Sequence, residues 1–430
     1  MEEAKGRKEV SRDAPPLGSS TTAPHVQEEG ENILNSGWWM LPTEISEIIL
    51  LHATSVSHRD KVGEVVANPM GIVCKYVCKQ WRDILSVKRP TKRTHPTFFA
   101  AALALEGWFP LLQWARSKGC SWDEKVYSNA ALGGHLEMLK WARENGCTIS
   151  WKQDVCTNAA IGGHLEVLKW ARENGCGWDI YTSIEAAKNG QLEVLKWLRE
   201  TECPFNEYTS NSAAKGGHLE VLKWLRETGC PWNENTCSSA AQGGHLEVLK
   251  WAREKGCFWD ATTCAVAARE GQIEVLMWAR EHGCPCDDRV CSYLAGHGNL
   301  DALEWARDHE CPWDQKACAS AAEKGHLEVL KWLREKGCPW IYTTPAQAAL
   351  NGHLEVLKWA REKGCVFNAE ACNQAAKGGH LEVLKWLREH GYPWNSDTMY
   401  HARVKKHADV IQWALENGCP ETERYISKYF

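Results

Sequence analysis

Cysteine and histidine are the residues of this 430-residue chain whose chemistry would matter most, and both recur at fixed steps. Cys120, Cys147, Cys176, Cys203, Cys230, Cys257, Cys284, Cys311, Cys338, Cys365 and Cys419 follow one another at 27 residues, with one step of 29 and one place skipped. A second series runs through Cys156, Cys237, Cys264, Cys291, Cys318 and Cys372. Structural zinc needs ligands converging as close pairs. Cys284 and Cys286 fall close together, but no second pair stands at finger spacing, and Ser183, Tyr392 and Pro345 replace cysteine within the series. These thiols are therefore expected to act as small buried apolar groups, with no metal. His135, His164, His218, His245, His326, His353, His380 and His407 recur in the same way, with Gln191, Gln272, Asn299 and Trp108 in other copies. A catalytic histidine would not repeat down a rod, so a hydrogen bond in a turn between helices is expected. No nucleophile with a base, no paired carboxylates and no phosphate-cradling loop between strand and helix stand out. Neither enzyme activity nor a cofactor is expected.

The elements that carry these residues come from a repeat. Trp114, Trp141, Trp170, Trp197, Trp224, Trp251, Trp278, Trp305, Trp332, Trp359, Trp386 and Trp413 mark twelve copies spanning residues 94–419. The copy from Pro231 to Cys257 gives the position numbers 1 to 27 used below. Nine of the eleven copies after the first carry Asp or Asn at position 3, as Asn233 does. A short side-chain oxygen before a helical stretch caps orphan backbone N–H groups. A first helix is thus predicted to run through Ala240-Ala241 and stop at Gly243-Gly244. A second would run from Leu246 to Lys255 and end at Gly256, since glycine accepts the left-handed conformation after a last turn. On it Glu247, Lys250, Arg253 and Glu254 form one polar stripe, three or four residues apart. The rest is apolar and needs neighbours on both sides, which stacked repeats provide. The fold class is therefore all-α, a helical repeat solenoid of helix–turn–helix units.

The string Ala-Ala-x-x-Gly-His-Leu-Glu-Val-Leu-Lys, closed by x-Gly-Cys, resembles the ankyrin-repeat family. An ankyrin unit has about 33 residues and a β-hairpin finger between units. Here that finger is expected to shrink to a turn, as in Pro312-Trp313-Asp314. The resemblance implies a protein-binding concave face lined by the first helices. Positions 4, 5, 8, 9 and 12 vary there, which makes Lys125, Tyr181, Tyr208, Arg289, Tyr293 and Tyr342 the target-binding candidates. Twenty of the 24 tryptophans form two sets. One is the second-helix series above. The other is position 2: Trp122, Trp151, Trp178, Trp232, Trp259, Trp313, Trp340 and Trp394, with Phe205 and Phe367 as replacements. Both are expected to be core between repeats, each burying on the order of 200 Å².

Residues 1–36 are polar, without apolar period, and read as a disordered tail. Leu41-Pro42-Thr43-Glu44-Ile45 then opens an apolar stretch, and Val77-Cys78-Lys79-Gln80-Trp81-Arg82 closes it. This resembles an F-box, with an interval of 52–71 that is long for that family. The F-box resemblance implies docking on a Skp-type adaptor through Leu41, Pro42, Ile45, Val77 and Trp81. The same small N-terminal helical unit, residues 37–93, is alternatively a cap over the first repeat. Lys88, Arg89, Lys92 and Arg93 form a basic linker, and 420–430 a C-terminal tail.

Composition bounds the partners. A net charge of −5 argues against a general nucleic-acid binder. No run of 18 or more apolar residues suggests a membrane span. The opening residues lack an apolar stretch, so no secretory signal is expected, and the 20 cysteines read as reduced thiols in cytoplasm or nucleus. The expectation is a non-enzymatic interaction protein. Together the resemblances imply the substrate-recognition subunit of a cullin-type ubiquitin ligase, the alternative being a plain ankyrin-like scaffold.

Overall fold

The computed structural model describes residues 96–117, 124–146 and 154–421. The expected tail 1–36, the F-box-like stretch 37–93 with its adaptor residues, Cys120, Trp122, Cys147, Trp151 and residues 422–430 lie outside them. The described residues form twenty-four α-helices in twelve pairs and no strand. None of these helices is long and apolar enough to cross a membrane.

The chain divides into two compact bodies. One comprises Met1–Leu103 and Trp108–Ser121. Its described part is most of the helical pair Pro96–Leu105 and Phe109–Ser117, with Leu103, Leu111, Leu112 and Trp114 buried. The other comprises Ala104–Gly107 and Trp122–Phe430 and carries the remaining repeats.

In this larger body the first helices of successive repeats pack side by side, and each second helix packs on the first helix of its own repeat. The Ala-Ala pair allows the close approach. Ala240, Ala241, Val248, Leu249 and Ala252 are all buried, and the equivalent residues are buried in neighbouring repeats. Fully burying one such Val or Leu contributes about 1.5–3 kcal/mol.

The predicted caps form. Asp179, Asn206, Asn233, Asp260, Asp287, Asp314, Asn368 and Asn395 each accept from the N–H two residues on. In the tenth repeat Ile341 takes the cap position, and the helix Thr343–Leu350 begins with no side-chain cap. At the other end Gly256 has φ +79°, with Gly256 N–H on Arg253 O (3.0 Å) and Cys257 N–H on Ala252 O (2.9 Å). This pair of bonds is a Schellman closure. Among the described residues the links between repeats carry no hairpin finger, as expected.

Two expectations need correction. Among the described residues only Trp114 of the tryptophans is buried; the others are half-buried. The core between repeats is therefore made of Ala, Val, Leu and Cys, and the rings stand at its rim. The reason is size: helices brought together by an Ala-Ala pair leave no room for indole. The second correction concerns redox state. Cys286 and Cys311 form a disulfide, against the reading of every cysteine as a reduced thiol. Position 2 and position 27 of one repeat are 25 residues apart in sequence, yet the fold places their Cα atoms 5.6 Å apart.

Candidate protein-interaction surface

Most of the recurring polar chemistry is consumed by the frame. The histidine ring reaches across to the preceding repeat rather than bonding within its own turn. His245 Nε2–H donates to Lys215 O (3.1 Å), His218 to Lys188 O (3.0 Å) and His407 to Lys377 O (3.1 Å). Gln191 makes the same bond to Ile161 O (3.1 Å), which explains why an amide can replace the ring. In the eighth repeat Asn299 caps its own second helix, and His297, two residues earlier, takes the bond to Arg269 O (2.8 Å). The ring lies over a left-handed glycine of the preceding repeat: a Cβ on Gly217 (φ +78°) would sit 2.5 Å from His245 Nδ1.

In seven of the described repeats the position-27 thiol closes the repeat on itself. Cys257 Sγ–H donates to Asn233 O (3.3 Å), and Cys284 and Cys338 do the same to Asp260 and Asp314. Cys237 lies against Cys257, and its thiol is pushed far above the usual range, first by the hydrogen bond it gives Cys257 and then by burial. Where no such partner stands, burial alone is the main cause, as for Cys203 and Cys372, each pushed up to about 12. Groups this far from ionising are poor metal ligands and poor nucleophiles. Among the described residues no three His, Cys, Asp or Glu side chains converge as a metal site.

The aromatic rim is also ordered. Position 2 meets position 21 of its own repeat edge to face, as in Trp232–Trp251 (5.9 Å) and Trp178–Trp197 (5.4 Å). The arginine at position 23 of the preceding repeat covers the position-2 ring: Arg253 lies 4.1 Å from Trp259 and Arg226 4.6 Å from Trp232. Glu247 and Lys250 pair at 2.8 Å on the outer stripe, and seven other second helices repeat that pair.

The first-helix positions remain. Tyr181 and Tyr208 occupy position 5 of adjacent repeats and are 64% and 58% exposed. Lys125 is exposed at the same position of the second repeat. Arg289 is half-buried and bound to Asp287 (Nη2 to Oδ2, 2.7 Å), which holds the guanidinium above its ordinary range. Tyr293, half-buried, stands one turn further along that helix. Tyr342 is 45% exposed at the uncapped helix start. The six candidates do not form one site. Tyr181 and Tyr208 share position 5 of adjacent repeats, and Arg289 and Tyr293 share one helix; Lys125 and Tyr342 stand on other repeats.

Three further residues escaped the sequence reading. Lys316 bridges Asp288 of the preceding repeat (2.9 Å) and Asp314 of its own (3.3 Å). Phe258 and Val366, at position 1, are 79% and 70% exposed. Their signal was available: proline or glycine holds position 1 in most neighbouring repeats.

The family profile "Ankyrin repeats (many copies)" matches residues 156–199, 212–253 and 318–361. No curated protein matches the chain. Among solved structures, the human ASB11 ankyrin repeat domain is 20% identical, covering 37% of this chain and 84% of that one, with a TM-score of 0.31. The pentatricopeptide repeat protein PPR10 in complex with an 18-nt psaJ RNA element is 14% identical, covering 84% of this chain and 63% of that one, with a TM-score of 0.37. The three matched segments are similar to ankyrin repeats, whose architecture is that of a scaffold for protein–protein interaction.

Proposed function

We propose that the repeats hold a protein target on the first-helix face and that the chain serves as the substrate-recognition subunit of a cullin-type ubiquitin ligase. One observation carries the target-holding half. Side chains at the constant positions are engaged in the frame, whereas the variable position 5 presents Tyr181 and Tyr208 to solvent in adjacent repeats. Tyrosine offers large contact area at low entropic cost and is enriched at binding hot spots. Support for the ligase half is the F-box-like pattern ahead of the repeats, with Leu41, Pro42, Ile45, Val77 and Trp81 as the adaptor-facing set. Residues 37–93 would dock on the Skp-type adaptor and 94–419 would carry the target, in cytoplasm or nucleus. The mechanism is proximity: the bound target is held near a ubiquitin-charged enzyme, and this chain supplies no chemistry.

The test uses the full chain in cells. Leu41→Ala with Pro42→Ala should abolish co-purification of the adaptor and leave the target bound. Tyr181→Ala with Tyr208→Ala should do the reverse, with each tyrosine costing at least about 1 kcal/mol of target affinity if it is a hot spot. Full-length protein that binds no adaptor at micromolar concentration would end the ligase reading and leave a plain scaffold. Target capture unchanged by the tyrosine pair would move the target away from the first-helix face.

A further inference from the structure

The eighth repeat, Pro285 to Cys311, departs from its neighbours where repeats are joined. In the repeats on either side, position 2 is a ring covered by an arginine of the preceding repeat, as Arg253 covers Trp259 and Arg307 covers Trp313, both at 4.1 Å. In the eighth repeat that position is Cys286. Arg280 has no ring to cover and keeps only its backbone bonds, to His309 O (3.0 Å) and to Cys284 O (3.3 Å), the latter shared with the ring-covering Arg253 and Arg307. The two contacts that pin the link elsewhere, ring on ring and guanidinium on ring, are replaced by the Cys286–Cys311 bond.

The surroundings decide which thiols can take part. Cys286 is half-buried, whereas Cys311 is buried. Cys284 is buried and donates to Asp260 O (3.3 Å). Cys291 is buried, and its Sγ–H donates to the backbone of Cys311 (O, 3.6 Å) rather than meeting a second sulfur. Cys286 is thus the sulfur that a small molecule can reach. The residue after it, Asp287, caps the helix Asp288–His297, which carries Arg289 and Tyr293. The bond therefore anchors the start of that helix to the end of its own repeat.

We infer that Cys286 and Cys311 are a thiol–disulfide exchange site for a low-molecular-weight disulfide of the glutathione class, and that the closed bond locks the eighth repeat. In the closing direction Cys286 gives its proton to solvent, and its thiolate attacks one sulfur of the small disulfide. A mixed disulfide forms, and one small thiolate leaves and takes up a proton. Cys311, deprotonated in turn, attacks the Cys286 sulfur and expels the second small thiolate. Two protein thiols are oxidised, and one small disulfide is reduced to two thiols; opening is the reverse. Once open, Cys311 is free to donate to the cap carbonyl of its own repeat, as Cys338 does to Asp314 O (3.4 Å). The inference concerns the repeat itself and does not depend on the identity of any partner.

The test equilibrates the full chain in glutathione buffers of set ratio, maps alkylated cysteines by mass, and follows amide exchange across residues 285–297. Cys286 and Cys311 should be the pair whose alkylation follows the ratio. Exchange should be at least about tenfold faster in the reduced state, because the bond closes a long loop. Cys286→Trp, which restores the common ring, should give slow exchange at every ratio; Cys286→Phe, after Phe205 and Phe367, serves if indole is not accommodated. Cys286→Ser should give fast exchange at every ratio. Two results overturn the inference: both thiols still alkylated in fully oxidising buffer, or exchange equal in the two states with the bond verified by mass.

Discussion

Single residues show what this frame tolerates. A buried polar ladder joins first helices: Thr236 Oγ1–H donates to Asn211 Oδ1 (2.7 Å), and Thr398 to Asn373 (2.6 Å). Thr263 and Thr344 occupy the same position with hydroxyls that find no partner. The preceding repeats explain it, because Ser238 donates to Asn235 O (3.2 Å) and Ala319 has nothing to offer. Thr236→Val should therefore cost about 1–3 kcal/mol by stranding the Asn211 oxygen, whereas Thr344→Val should be neutral or stabilising by up to about 1 kcal/mol. Urea denaturation of the two variants checks both signs. A second residue-scale prediction concerns acid. Burial lowers the pKa of His380 below the usual histidine value, the bond to Leu350 O opposes it, and His353 and His407 add like charge. With the folded value depressed, the unfolded chain binds more protons below about pH 6.5. Stability is then fully present above that pH and lost as pH falls towards the folded value. His380→Gln, the substitution already present at Gln191 and Gln272, should flatten this loss between about pH 7 and 5 in thermal melts.

Within and between helices, the determining contact is the glycine–histidine interlock. Gly217 must be glycine for its left-handed φ and again because the His245 ring fills the place of its Cβ. The conformation alone costs an alanine about 1–2 kcal/mol. Gly217→Ala should lose more than that, and measurably less in a His245→Ala background, where the steric part is gone. A double-mutant cycle by chemical denaturation separates the two. These elements also mark what could be read from the residues. Caps such as Asn233 and stops such as Gly256 were legible because they act on their own helix, within three or four residues. The reach of His245 to Lys215 was not, because the bond spans 30 residues. The half-exposure of Trp251 was not either: periodicity says that a residue keeps its place from copy to copy, not how much water it sees there. The Cys286–Cys311 bond was hidden for a third reason, since two positions at opposite ends of a repeat become neighbours only once the repeat is folded.

For the molecule as a whole, the stability of stacked repeats is close to a sum over nearest neighbours. Removing Pro231 to Cys257 should leave a helical protein, because Cys230 then meets Phe258 at an equivalent joint. Removing thirteen of those residues should be far worse, since one helix loses its pair. Circular dichroism and melting of the two deletions check this, and equal damage would contradict a modular array. Of the candidate surface, variability at position 5 singled out Tyr181 and Tyr208 and the repeat numbering already set Lys125 and Tyr342 repeats apart, whereas the exposure of the two tyrosines was legible only in the folded array. The eighth-repeat bond has one more consequence, a mechanical one. Stretched from its ends, the array would give way in steps of one repeat, each releasing 27 residues, or about 90 Å of extended chain. With sulfur joined to sulfur, the 25-residue separation inside the eighth repeat is withheld from the pull. One step of the series nearly vanishes under oxidation and returns on reduction, so the array behaves as a tether whose extensible length is set by the thiol balance around it.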